Sequence, residues 1–547
     1  MTTMMLALCL LQPPTLSAEK QAAIAEVLKP WRTEDGPGGV VAIYHNGEIV
    51  MQEGLGLADL EQGTRLTPES RIDIGSITKQ FVVASIVRLE LEGKLSQEDS
   101  IRKHIPELPE WMEAIKLHHL IHHTSGLRDY LNMNLMSNGG DLNHTPDPDE
   151  LIEMMKKQRE TNFPIGAAAM YCNTGYALLA EVVKRTEKTD LTTATRHLVW
   201  EPLGMKDSLY DASAELLVKQ RANSYVRNGQ GFLAMRLRAS IVGDGGMLTT
   251  TGDMAKWSRF LATPTEAERP WHEAMLKPSP RPFGPGMRYA GGLFLDKLGT
   301  ATRIQHGGDW SGFHAMFTVF PETGWSVFTA GNDGTQLSKQ MNDKIARILL
   351  DLPEPAAPVA PAGSQDWNPL TPEILAAYAG RFVLKPIELP IEFSVKGGKL
   401  FALPQGQPKI ELTRTGEREF SYAAAQAKFT FDAIAEGKSP AVVLDQGGAK
   451  LRGPRGEAFA ATAEQRAAWV GEFWSEELEY AIVVTEKDGA LQVKINGHDW
   501  GAGTLGNAKQ LSVGGFLTIT PEGEGTSWPA IRVDAGGRAS RLLLTRR

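Results

Sequence analysis

Ser76 and Lys79 lie three residues apart in Asp73-Ile-Gly-Ser-Ile-Thr-Lys-Gln-Phe81, just ahead of an apolar run. That spacing puts a hydroxyl and an amine on one helix face. A serine attacks an amide or ester usefully only with a base beside it, and a lysine serves once its pKa is pushed down. Ser76 would also sit near the positive end of the helix dipole, where developing negative charge is favoured. Alone, a Ser-x-x-Lys arises by chance in a chain this long, so it needs partners. Two follow in order. Tyr171-Cys172-Asn173 offers a phenol that can relay protons and a carboxamide that donates and accepts at once. His306-Gly307-Gly308 ends the strand-like stretch 302–305. Its glycines would let a backbone approach a substrate closely, and its main-chain N–H could join that of Ser76 around an oxyanion.

The elements that must position these groups are legible in outline. Residues 38–51 read as two strands joined at Asn46-Gly47, a strong hairpin signal. A helix is expected after Ser76, with Phe81, Ile86, Leu89 and Leu91 apolar and an end near Gly93. A second helix is expected over 174–184. Helical and loop signals dominate from about 99 to 263, and strands return at 302–305, 316–320 and 325–330. The expected fold is α/β, with a sheet closed by both ends of the domain.

A chain of 547 residues exceeds one ordinary domain. Residues 19–352 are read as the chemical unit and the Pro/Ala-rich 353–366 as a semi-rigid linker. Beyond it, Ala376-Ala-Tyr-Ala-Gly-Arg-Phe382 parallels Ala467-Ala-Trp-Val-Gly-Glu-Phe473. Lys396-Gly-Gly-Lys-Leu400 parallels Lys487-Asp-Gly-Ala-Leu491 at the same offset. Two related antiparallel β-barrels are expected, over 367–463 and 464–547. Residues 1–18 contain the apolar run 4–11 and a small-residue exit, as in a secretory signal, though without a positive n-region. Periplasmic or secreted placement is therefore expected, with the cytoplasm as the alternative. No segment is long and apolar enough to span a membrane.

A net charge of −8 with no Lys/Arg-rich block argues against a nucleic-acid partner. Cys9 and Cys172 are the only cysteines, too few for a disulfide framework or a cysteine metal site. His118, His119, His122 and His123 contain two i,i+4 pairs but no His-Glu-x-x-His pattern. No metal and no cofactor is assigned.

Taken in order, Ser76-x-x-Lys79, Tyr171-x-Asn173 and His306-x-Gly308 resemble the three motifs of the penicillin-recognising serine hydrolases. This group includes class C β-lactamases, D-alanyl-D-alanine carboxypeptidases, D-aminopeptidases and related esterases. The segments 120–127, 201–208 and 243–249 are similar to others of that family. Within it, residues 36–42, 125–130 and 171–173 resemble the D-stereospecific aminopeptidases, which carry two C-terminal barrels. The resemblance implies a β-lactamase/transpeptidase-like fold, in which the sheet is antiparallel with helices on both faces, beside an all-helical lobe. It also implies a loop of the last barrel reaching the cleft. The similar position here is 496–503, with Asp499.

The chemistry implied is acyl transfer through a covalent intermediate. Ser76 attacks, Lys79 and Tyr171 move its proton, Asn173 orients the substrate amide, and His306 shapes the strand side. A neighbouring cation is expected to lower the pKa of Tyr171, and either group could be the acylation base. The lactamase pattern has Lys where His306 stands. Gly308 and Asp309 on the strand, with Asp499, are the candidate substrate contacts. Carboxylates there would repel a terminal carboxylate and attract an α-ammonium. The expected activity is therefore that of an aminopeptidase acting on a free N-terminus of small peptides or amides, and the resemblance implies that the residues released are D-amino acids. The alternatives are an esterase or weak β-lactamase on the same machinery, and a sensor that is acylated once. A homodimer is an open option.

Overall fold

The computed structural model describes residues 15–141, 145–213, 215–229, 231–235, 240–353, 367–385, 389–404, 409–422, 427–446, 449–456, 459, 461–525 and 527–547. The apolar run 4–11 and nearly all of the linker 353–366 lie outside them.

Strands β1 (Gly39–His45) and β2 (Glu48–Leu55) form the expected hairpin, with Asn46 and Gly47 both at positive φ. Five later strands complete the sheet: β3 (Arg288–Tyr289), β4 (Phe294–Leu298), β5 (Ala301–Trp310), β6 (Phe313–Phe320) and β7 (Trp325–Gly331). The order is β3-β4-β5-β6-β7-β1-β2, with β1 antiparallel to β7 and Gly39 opposite Gly331. An early hairpin and late strands thus share one sheet. β1 is buried on both faces because helices cover both. The framing helices are α1 (Ala18–Leu28), α2 (Lys79–Leu91), α3 (Tyr130–Ser137), α4 (Asn173–Glu187), α5 (Thr251–Ala262) and α6 (Leu337–Leu349). Val41, Ile43, Phe320 and Val327 pack with Ile24 and Leu28 of α1 and with Ile345 and Leu349 of α6. Val40, Ala42, Phe317 and Phe328 belong to the core that α2, α4 and α5 share.

Helix α2 buries Phe81, Val82, Ile86 and Leu89, but Leu91 is 51% exposed and faces away from that core. The stretch 99–263 also holds short strands, among them Leu209–Tyr210 and Met247–Thr249. Met247–Thr249 is the middle strand of three, with Ile72–Asp73, just ahead of the turn that carries Ser76, on one side and Leu209–Tyr210 on the other. Segments of two or three residues carry too little alternation to be read as strands from sequence. Among the described residues, no helix is long and apolar enough to cross a membrane.

The C-terminal half holds two antiparallel units. The first has two sheets. One contains β8 (Gly380–Leu384), β9 (Leu389–Lys396), β10 (Lys399–Pro404) and β11 (Ile410–Glu411). The other contains β12 (Thr413–Arg414), β13 (Glu419–Tyr422), β14 (Ala427–Phe431), β15 (Ala441–Gln446) and β16 (Ala449–Pro454). The bridges Phe382–Arg455 and Lys385–Arg452 bring β8 beside the end of β16. Among the described residues the strands of this unit form two sheets and not the one continuous ring that a barrel implies, with only the two-residue β11 and β12 where the sheets meet in sequence. The second unit is a closed eight-stranded barrel: β17 (Gly471–Ser475), β18 (Tyr480–Lys487), β19 (Ala490–Ile495), β20 (His498–Asn507), β21 (Gln510–Val513), β22 (Leu517–Glu522), β23 (Ala530–Ala535) and β24 (Ala539–Arg546).

The internal repeat has a structural counterpart. Arg455 donates to the carbonyls of Ala377 and Ala379 and lies 4.7 Å from the Phe382 ring centroid. Arg546 donates to the carbonyls of Ala468 and Val470 and lies 4.7 Å from the Phe473 ring centroid. In each unit one guanidinium holds a short helix end against the first strand. The cores differ in reach. The first unit packs its own cluster around Phe382, Phe393 and Phe431. The closed barrel's apolar side chains are continuous with the core beneath the candidate site.

Candidate active site

Ser76 lies in the 3-10 turn Gly75–Thr78 that leads into α2. A turn of three residues stacks position 76 over 79. Lys79 Nζ is 3.0 Å from Ser76 Oγ, 2.9 Å from Asn173 Oδ1 and 2.6 Å from the Asp244 carbonyl oxygen. Two of these three partners can only accept. A neutral amine satisfies the set with two N–H donors, which leaves its lone pair to take the serine proton. Lys79 is fully buried, whereas Ser76 is partly open to solvent. Burial pushes the Lys79 pKa down to about 8, with Asp244 and Asp129 opposing the shift and Arg538 adding to it. About a tenth of the protein then carries the free amine at pH 7, enough to serve as a general base.

Tyr171 corrects an expectation. Burial holds its phenol well above the ordinary value, and the Ser76 hydroxyl and Arg538 offset this only in part. Lys79 Nζ faces the Tyr171 ring, 4.8 Å from the centroid, instead of lying beside the hydroxyl. The cation therefore does not draw the phenolic proton off. The Tyr171 hydroxyl turns toward Ser76 without reaching hydrogen-bond geometry, and it is buried with no such partner among the described residues. At neutral pH the phenol is a proton donor, and Lys79 is the group able to accept.

Asn173 opens α4, and Asp129 Oδ2 accepts its backbone N–H at 2.7 Å. With Oδ1 turned to Lys79, the hydrogen-bond network leaves Nδ2 as a donor for a substrate carbonyl. His306 is 2% exposed and lies within β5, which runs on to Trp310. The sequence reading ended the strand here. Pairing with β6 continues through His306–Phe317 and Gly308–Ala315, so the glycines do not break it. His306 Nδ1 donates to the Gly307 carbonyl and Nε2 accepts from Tyr289 Oη at 3.2 Å. Burial and the nearby Lys79 push its pKa down to about 3, so the imidazole stays neutral and forms a wall of the cleft.

Past Gln305, the β4 side of β5 is unpaired, and the Ser76 turn packs against the following residues. A Cβ on Gly308 would come within 1.8 Å of the Ile74 carbonyl oxygen and 3.0 Å of the Ser76 nitrogen. One on Gly75 would come within 2.5 Å of the Asp309 nitrogen. Only glycine at both positions lets strand and turn meet this closely. Both approaches bring the backbone nitrogens of Ser76 and Asp309 to the one junction of turn and strand, which makes their N–H groups the candidate donors for an oxyanion.

Two expected substrate contacts are placed otherwise. The Asp309 carboxylate is held by Lys339 Nζ at 2.6 Å and by His314 Nδ1 at 2.6 Å. Burial would raise its pKa, but these partners keep it below the usual carboxylate range. Its charge is compensated and is not free to attract an ammonium. Asp499 accepts from the Gly501 N–H at 2.8 Å in a local turn. The loop bearing it docks on the C-terminal end of α3, where Asn496 Nδ2 donates to Ser137 O and Trp500 Nε1 to Gly139 O.

The barrel reaches the cleft by a different hairpin, the one between β23 and β24. Its Arg538 guanidinium carbon lies 5.4 Å from the Tyr171 ring centroid. The Arg538 carbonyl accepts from the Asp129 N–H at 2.9 Å and from Asn162 Nδ2 at 2.9 Å. Arg128, which is fully buried, donates to the carbonyls of Ser540 and Arg541 and pairs with Glu477 of the barrel at 2.6 Å. Asp129 thus links the hairpin to Asn173. Asp244 is joined to the same lobe through Tyr130 Oη at 3.0 Å, and burial raises its carboxyl pKa to about 6, with Lys79 opposing the shift. The sequence reading assigned no role to Arg128, Asp129, Asp244 or Arg538. The first three stand in segments noted only for family likeness, and Arg538 follows two glycines in no motif.

The histidine cluster is dispersed in role. His118 faces Glu98, His119 accepts from the Lys116 N–H, and His122 bonds the Lys277 carbonyl. His123 packs among Tyr171, Tyr176 and Tyr289.

The pH dependence follows from Lys79. The active form is deprotonated, so kcat/KM is expected to rise about tenfold per unit below pH 8 and to level above it. A flat profile from pH 6 to 9 would exclude Lys79 as the base.

A serine paired with a buried amine, between a helical lobe and the open edge of an antiparallel strand, defines the class. The chain belongs to the beta-lactamase family, whose profile matches residues 22–350. It is similar to a D-aminopeptidase of Brucella anthropi, with 27% identity over 282 residues that make up 51% of this chain and 53% of that protein. The chain thus spans about half the length of that curated relative. The octameric penicillin-binding protein homologue from Pyrococcus abyssi aligns with a TM-score of 0.56 at 23% identity, covering 79% of this chain and 99% of its own. The D-amino acid amidase from Ochrobactrum anthropi SV3, complexed with D-phenylalanine, aligns with a TM-score of 0.53 at 19% identity, covering 61% and 99%. At these identities the two structures show a shared fold.

Proposed function

We propose that this protein is a serine hydrolase that releases N-terminal D-amino acids from small peptides and amides through an acyl-enzyme. The 3.0 Å contact between Ser76 Oγ and the low-pKa Lys79 amine carries the reading. Lys79 takes the Ser76 proton as Oγ attacks the carbonyl carbon. The N–H groups of Ser76 and Asp309 hold the oxyanion. Tyr171 protonates the departing nitrogen. Water then attacks the ester and gives its proton to the Tyr171 phenolate, and Lys79 returns its proton to Ser76 Oγ. Asn173 Nδ2 holds the carbonyl of the acylating residue. Similarity to a D-aminopeptidase supports the choice of D-substrates. Export directed by the apolar run 4–11, and assembly as a homodimer, are parts of the proposal testable by fractionation and light scattering.

A panel of D- and L-amino-acid p-nitroanilides, p-nitrophenyl esters and a chromogenic cephalosporin tests it. Repeated turnover of D-anilides with a marked D over L preference is expected. Ester cleavage without anilide cleavage would replace the reading with an esterase, and one stoichiometric burst without turnover would make the protein a sensor.

A further inference from the structure

The charge facing the cleft from the barrel is positive, the reverse of what Asp499 suggested. Arg538 is exposed, and among the described residues no carboxylate pairs with its guanidinium. A guanidinium left over a tyrosine face keeps its planar fork of donors free for a carboxylate. Its place is set by the backbone. The Asp129 N–H and Asn162 Nδ2 both hold the Arg538 carbonyl, the Ser540 N–H donates to Asn162 Oδ1 at 2.8 Å, and buried Arg128 holds the carbonyls of Ser540 and Arg541. A hairpin fixed this tightly presents a preorganised group.

The side of the cleft follows from the proton path. Tyr171 is the donor to the departing nitrogen, so a cation over Tyr171 faces the leaving fragment and not the acyl fragment. In a single amino-acid leaving group the carboxyl carbon lies about 2.5 Å from that nitrogen. A carboxylate there falls between the phenol and the guanidinium.

We propose that Arg538 is the receptor for a carboxylate on the leaving fragment, so that the favoured substrates are D-aminoacyl dipeptides with a free C-terminus. This rests on the reading of the site as a D-aminoacyl hydrolase and names its substrate class. It also assigns the last barrel a specificity residue.

The test compares D-alanyl-glycine with D-alanyl-glycinamide. The wild-type protein is expected to favour the free acid by about 10- to 100-fold in kcat/KM, mainly through KM, as a charge-assisted hydrogen-bond pair warrants. Arg538→Met should bring the ratio near one, and Arg538→Lys should recover part of it. Calorimetric binding of the two compounds to the Ser76→Ala protein measures the same preference without turnover. A ratio near one in the wild type, a ratio unmoved by Arg538→Met, or binding indifferent to amidation overturns the proposal. Failure to hydrolyse any D-anilide while the carboxylate preference persists in binding would instead overturn the D-aminopeptidase reading and leave the Arg538 receptor standing.

Discussion

Replacing Ser76 by Ala should reduce turnover by about 10⁴- to 10⁶-fold while the protein remains folded. The hydroxyl contributes one of the three contacts at Lys79 Nζ, and Asn173 Oδ1 and the Asp244 carbonyl remain to hold the amine. Loss of one hydrogen bond costs about 0.5–1.5 kcal/mol, well inside the stability of a domain. The discriminating readout is covalent. Intact-mass measurement with a slow ester should show an acyl adduct on the wild-type protein and none on the variant. An adduct of equal yield on Ser76→Ala would move the nucleophile elsewhere and end the proposed mechanism.

The second large effect is expected at Arg128, whose side chain bonds Gln158, Glu477 and the barrel hairpin. Its side chain is fully buried and faces Glu477, which is 4% exposed. Arg128→Met removes one charge and leaves the other in the interior, a change that typically costs about 3–5 kcal/mol. Arg159 N–H still reaches Glu477 at 3.1 Å, but a single amide does not neutralise a carboxylate. The barrel should undock before the rest of the chain unfolds, visible as early hydrogen exchange over β23 and β24. The double variant Arg128→Met with Glu477→Leu should recover most of the loss, because no orphaned charge remains. An Arg128→Met protein as stable as wild type would show that the pair does not hold the two units together. The same variant frees the Ser540 and Arg541 carbonyls just after Arg538, so selectivity for the free acid should fall as well.

Sequence carried the local geometry further than the long-range geometry. Asn46-Gly47 specifies its hairpin by backbone conformation alone, and Ser76 and Lys79 meet because they are three residues apart. The glycines of 306–308 suggest room for a substrate, and the structure gives Gly308 another task, the close contact of strand and Ser76 turn, in a strand that continues beyond it. The charges were misjudged because pairing depends on residues remote in the chain. Asp309 is compensated by Lys339, thirty residues later. The Tyr171 pKa turned on whether Lys79 faces its ring or its hydroxyl, which no spacing reveals. The barrel's contribution was sought at 496–503 and came from the β23–β24 hairpin, because a glycine-rich turn advertises nothing about what it touches.

The twin arginine clamps at Arg455 and Arg546 suggest how these tasks were divided after duplication. One copy is welded to the chemistry and must keep its outer face. The other keeps only its own interior and its clamp, so its surface should accumulate substitutions freely. A saturation scan scored on catalysis should therefore be permissive on the solvent side of 380–454 and intolerant around 535–541.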